Sequence, residues 1–135
     1  MKRNLAALTL LVRDYDEAIA HYTRVFGFEL IEDSPRPDGK RWVRIATSTS
    51  PDSTCLLLAK AVKDEQIAQI GHQSGGRVFL FLHTDDFARD HARLAASDDI
   101  RFCETPRDEP YGKVVVFEDL YGNRWDLIQP VSAPV

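Results

Sequence analysis

Apolar positions along the chain follow a pattern that is stated twice. Leu5 to Val12 form a nearly continuous apolar run, which predicts a buried β-strand. Asp14 follows, and Tyr15, Ala18, Ile19, Tyr22, Val25 and Phe26 then recur at the spacing of one helix face. Asp14 is the expected N-cap, with Glu17 three residues on completing a capping-box-like pair, and Gly27 is the expected terminator. Phe28 to Glu32 reads as a short strand, and Ser34 to Gly39 as turn chemistry. From Arg41 to Thr47 the side chains alternate, with Val43 and Ile45 on one face and Trp42, Arg44 and Ala46 on the other. A turn at Ser50 to Ser53 leads into a strand from Thr54 to Ala59. The order is β-α-β-β-β.

After a polar connector the pattern restarts. Arg77 to Thr84 predicts a strand, and Asp85 and Asp86 cap a helix with Phe87, His91, Leu94 and Ala95 on one face. Ile100 to Glu104 reads as a strand, Pro106 to Gly112 as a loop, Lys113 to Glu118 as a strand, Asp119 to Asn123 as a turn and Arg124 to Gln129 as the last strand. The repeat is one of element order and turn placement. The expected fold class is α+β, with tandem βαβββ modules curling mixed sheets around a pocket. Residues 1–135 form one domain, with module one at 1–61, a connector at 62–76 and module two at 77–130.

Composition narrows the function classes. A net charge of −4, without a long basic run, argues against a nucleic-acid surface. No apolar run approaches membrane-spanning length, and the N-terminal apolar stretch lacks a clear cleavage site, so it reads as a strand and not a signal peptide. Cys55 and Cys103 belong to no C-x-x-C pair and sit among apolar residues, so both are expected as buried thiols of a cytoplasmic protein. No nucleophile elbow or phosphate loop is present.

Leu10 to Ala18, Tyr22 to Leu30, Pro110-Tyr111-Gly112 and Phe117 to Leu127 carry a resemblance to the vicinal oxygen chelate superfamily. That superfamily includes glyoxalase I, bleomycin-resistance proteins, fosfomycin-resistance enzymes and extradiol dioxygenases. The resemblance covers nearly the whole chain and implies the fold just described, as a single glyoxalase-like domain. It also implies a divalent metal held by His, Glu or Gln from four strands. Carried over one at a time, those positions fall on Ala7, between Thr54 and Leu56, on Phe79 and on Asp126. Only Asp126 ligates well, so no metal cofactor is expected.

Strand alternation then names the pocket. Phe79, Phe81 and His83 share a face, as do Ala7, Thr9 and Leu11. His83 suits proton transfer near neutral pH; as a bland reading it is a hydrogen-bonded strand-end histidine. Asp126, on a strand expected to be buried, needs a partner, and Arg44 is the expected one. Trp42 beside Arg44 offers stacking and pairing to an anionic aromatic ligand, against simple exposure at a strand edge. Tyr111 lies on a loop able to cover the pocket. His91 is expected in the core, and His21 and His72 on the surface. The expected function is binding of a small organic molecule in an aromatic cavity, by a metal-free homodimer without nucleic-acid or membrane partners. The alternatives are a glyoxalase-like lyase or isomerase, metal-dependent or acting through His83 and Asp126 as acid and base, and a structural module that fills its own pocket.

Overall fold

Asp14 ends the first strand and starts the first helix. In the computed structural model, which describes residues 1–131, β1 (Ala7–Val12) gives way to α1 (Tyr15–Ala20), and the Asp14 carboxylate accepts the Glu17 N–H at 2.8 Å. Residues 132–135, at the end of the expected domain, lie outside the described residues. The chain divides into two units, the first ending at Ile70 and the second starting at Gly71.

In the first unit α1 widens into a π-helical turn (His21–Val25), closed by Gly27 at positive φ and a bond from the Phe28 N–H to the Tyr22 carbonyl. β2 (Glu29–Pro35), β3 (Arg41–Ala46) and β4 (Cys55–Lys60) follow, then the short α2 (Asp64–Gln69). The sheet order is β1-β4-β3-β2, parallel between β1 and β4 and antiparallel elsewhere. Alternation puts Leu10, Val12, Val43, Ile45, Leu56 and Leu58 on the buried face, and α1 packs against β3 and β4. Fully burying a side chain of this size contributes about 1.5–3 kcal/mol.

The second unit repeats the plan. β5 (Leu80–His83) leads to α3 (Phe87–Ala95), capped by Asp86, whose carboxylate accepts the Arg89 N–H. β6 (Arg101–Phe102), β7 (Arg107–Glu109), β8 (Gly112–Glu118) and β9 (Arg124–Pro130) complete it. Its order is β5-β9-β8-β6, with β7 also paired to β8 and with β5 and β9 parallel. A column of rings runs from helix to sheet: Phe87 to His91 at 5.6 Å, His91 to Phe102 at 4.6 Å, Phe102 to Phe117 at 6.1 Å and Phe117 to Trp125 at 6.3 Å. The matching strand orders are the repeat that the apolar pattern predicts. Among the described residues no helix is long and apolar enough to cross a membrane.

Several expectations are corrected. Leu5 is 65% exposed and lies before β1, because the strand pairs with β4 only from Ala7 onward. β2 runs on through Ser34 and Pro35, held by pairing with Trp42 and Arg41. β5 and β6 are shorter than the apolar runs that announce them. The expected loop at Pro106 to Gly112 contains β7, a polar edge strand fixed by its ladder to β8. His21 is 3% exposed, packed edge-on against Tyr22 and Phe26, because the π turn carries two successive residues into the core. Cys103 is exposed while Cys55 is buried; both are free thiols.

Candidate functional site

Each sheet has one face under its helix, and register assigns the residues of the other. In the second unit Trp125, Leu127 and Phe117 lie on the buried face, so Asp126 points the other way. Asp126 is in register with Phe81 on β5 and Val116 on β8. His83, Ile128, Val114 and Arg107 form the next rung, and Arg124, Glu118 and Arg101 the rung before. The Phe79 N–H donates to the Arg124 carbonyl at 2.8 Å, which extends the β5 pairing one step beyond its strand.

Asp126 is 7% exposed, and its Oδ1 is buried with no hydrogen-bond partner among the described residues. Burial pushes its carboxyl above the usual range; Arg107 works against that shift and Glu104 adds to it. Arg107 is itself engaged: Nε donates to Glu104 at 3.0 Å, Nη1 to Glu109 at 2.5 Å, and the Tyr111 hydroxyl bonds it as well. Glu104 also accepts the Val116 N–H at 2.9 Å. Phe81 is 63% exposed and lines a cleft of about 600 Å³ with Arg77, Val78 and Arg124. His83 and Tyr111 are exposed.

The first unit holds a more polar cleft. Arg44 donates through Nε to Glu32 at 2.9 Å and through Nη1 to Cys55 Sγ at 3.6 Å. The bond from Arg44 holds the Glu32 carboxyl below its usual range. Arg44 and Cys55 line a cavity of about 320 Å³ with Ile31, Ser48, Thr49 and Ser53. The expected pairing of Arg44 with Asp126 is therefore replaced by a pair with Glu32, on the strand beside it. Trp42 shares a face with Arg44, but the guanidinium over its ring is that of Arg36, 5.2 Å from the centroid.

The carried-over metal positions can be checked against these contacts. Ala7 and Phe79 supply no donor atom, and Cys55, opposite Ala7 in register, faces Arg44. Among the described residues no three His, Cys, Asp or Glu side chains are grouped to hold a metal ion. The residues present do not fit the metal that the resemblance implies. Sequence reasoning named Phe81 and Asp126 separately, the register of β5 and β9 brings them to one rung, and Arg77, Glu104, Arg107 and Arg124 were missed. Those four sit in segments read as a loop, a strand end or a turn flank; the signal available was that each carries a charge beside an alternating strand.

Comparison with known proteins places this geometry in a family. A model of the glyoxalase/bleomycin resistance protein/dioxygenase superfamily matches residues 4–127. A protein of Shewanella frigidimarina (strain NCIMB 400), described as uncharacterized, is 51% identical over 130 residues, covering 96% of this chain and 95% of the relative. Among solved structures, UcmS2 is 27% identical with a TM-score of 0.78, covering 95% of this chain and 98% of its own. TnmS3, described as an antibiotic binding protein from Streptomyces sp. CB03234, is 28% identical with a TM-score of 0.73, covering 96% and 97%. With the family model spanning both βαβββ units, the chain belongs to the glyoxalase/bleomycin resistance protein/dioxygenase superfamily.

Proposed function

We propose that this protein binds a small aromatic molecule without a metal, as a sequestering protein and not as a metal-dependent enzyme. One observation carries the reading: the face of the second sheet turned away from α3 sets an exposed ring, Phe81, beside a buried carboxyl, Asp126, whose Oδ1 is still unpartnered. A ring offers apolar area and a π face to a planar ligand, and an unpaired buried acceptor is relieved by a ligand donor. The similarity to an antibiotic binding protein over nearly the whole chain supports a small-molecule ligand. The apolar side chains at Ala7 and Phe79 support the metal-free part.

The test pairs two measurements on purified protein. Elemental analysis without added metal is expected to find no stoichiometric transition metal; one equivalent of Zn, Ni, Mn or Fe overturns the metal-free reading. A thermal-shift screen of planar aromatic compounds, antibiotics included, is expected to return compounds that raise Tm with concentration by mass action. A screen in which no aromatic compound shifts Tm overturns the binding reading. Turnover of a bound compound that is lost in His83→Ala or Asp126→Asn returns a lyase or isomerase acting through those residues. The sheets leave β1 and β2, and β5, β6 and β7, as edges, which supports pairing of two copies. Light scattering is expected to give a homodimer mass.

A further inference from the structure

The face of the second sheet turned away from α3 is charged unevenly along its strands. At one end Arg124 and Arg101 share a single carboxylate, Glu118, at 3.4 and 2.6 Å. Arg77 adds another guanidinium on the wall of the same cleft as Arg124 and Phe81. One rung on, Asp126 stands buried opposite Phe81 with Oδ1 unpartnered, and beyond it Arg107 is divided between Glu104 and Glu109. One end thus carries surplus positive charge and the other surplus negative charge, with the Phe81 ring on the same rung as Asp126. Arg124 and Asp126 are two residues apart on one strand and on one face, about 6.5 Å from Cα to Cα.

From this juxtaposition we infer that the ligand is an aromatic ampholyte: an acidic group lies against Arg124 and Arg77, the ring lies over Phe81, and an ammonium or other N–H donor meets the Asp126 carboxyl. The inference rests on the proposed binding function and names the ligand class of that same site. A guanidinium recognises a carboxylate through paired N–H donors. A buried carboxylate that lacks a partner gains from a cation more than from a neutral donor, because charge-assisted hydrogen bonds are the stronger ones. The upward push on the Asp126 carboxyl is consistent with a missing counter-charge, since Arg107 relieves it only in part.

The probes are benzoate, benzylamine, 4-(aminomethyl)benzoate and uncharged benzyl alcohol, titrated by calorimetry into the full chain at pH 7 and low salt. The doubly charged probe is expected to bind at least ten-fold tighter than benzoate or benzylamine. Asp126→Asn is expected to reduce it to the affinity of benzoate, and Arg124→Ala to that of benzylamine. Arg124 is exposed, so its replacement leaves the fold intact and keeps the test valid if Asp126→Asn does not fold. Equal affinity for benzyl alcohol and the doubly charged probe overturns this inference and leaves the binding function standing. Binding of the doubly charged probe that neither substitution weakens overturns it as well. Binding of none of the four, together with a screen in which no aromatic compound shifts Tm, removes both.

Discussion

The indole N–H of Trp125 donates to Oδ2 of Asp119 at 2.9 Å, across the turn that separates β8 from β9. The other oxygen of Asp119 accepts the backbone N–H groups of Tyr121 and Asn123, and the Asn123 side-chain amide reaches both oxygens. Asp119 and Asn123 are buried, so this carboxylate organises the turn in place of solvent. Asp119→Ala strands several buried donors at once and is expected to cost about 3 kcal/mol of unfolding free energy. Trp125→Phe removes one donor and keeps an aromatic ring in the column, so about 1 kcal/mol is expected. Urea melts followed by circular dichroism check the order; equal losses would refute the carboxylate-centred account of the turn.

Gly71 presses on the same turn. A Cβ built there would lie 2.0 Å from the Tyr121 carbonyl oxygen, at a φ of +75°. Gly75 has a similar φ of +70° but open space around it. Gly75→Ala therefore reports the left-handed backbone penalty alone, about 1 kcal/mol. Gly71→Ala adds a clash with backbone that has no flexible side chain to yield, and a loss at least 2 kcal/mol larger is expected. Matching midpoints for the two variants in chemical denaturation would show that the turn moves aside freely.

The repeat was legible because both halves write it in turn residues and in apolar spacing: Asp14 and Asp86 cap the corresponding helices, and Gly27 stops the first. β7 was not, because Arg107, Asp108 and Glu109 are polar and are strand only through backbone pairing to β8. A hundred-degree helical period places His21 outside; the π turn after Ala20 breaks that period. Cys103 was within reach of the alternation rule, since Phe102 stacks on His91 and its neighbour must face away. For the candidate site, alternation set Phe81 and His83 on one face, but only the parallel register of β5 and β9 sets Phe81 against Asp126. Partner choice was the least accessible step: Arg44 is drawn to Glu32 by pairing between β2 and β3, which composition does not encode.

Phe81 separates stability from binding. Its side chain is largely exposed, so Phe81→Ala removes little buried area and is expected to shift unfolding by less than about 0.5 kcal/mol. An aromatic ligand stacked on it loses a pairing worth about 0.5–1.5 kcal/mol, so affinity is expected to fall up to about ten-fold. Titration of the tightest compound from the aromatic screen into wild type and variant checks this. Unchanged affinity would take Phe81 out of the ligand contact.

Asp126 sets a pH dependence opposite in sign to that of the paired carboxylates. Glu32, Asp33 and Glu118 are held below their usual range by hydrogen bonds from Arg44, Arg41 and Arg101. The folded chain keeps these three ionised where the unfolded chain takes up protons, so their contribution is present at neutral pH and lost as pH falls through the acidic range. Burial moves Asp126 the other way. In the window above the ordinary carboxylate range the folded chain holds a proton that the unfolded chain releases, so stability declines as pH rises through the raised folded value. Asp126→Asn cannot ionise and lacks that decline, while the other carboxylates are common to both proteins and cancel in the comparison. The unfolding free energy of Asp126→Asn minus that of wild type is therefore expected to grow as pH rises above the ordinary carboxylate range and to level off once the folded carboxyl has ionised. Chemical denaturation at intervals across that range measures it. A difference that stays flat, or shrinks with rising pH, would mean that Asp126 already has a compensating partner in the free protein, and the ligand donor assigned to it would have no vacancy to fill.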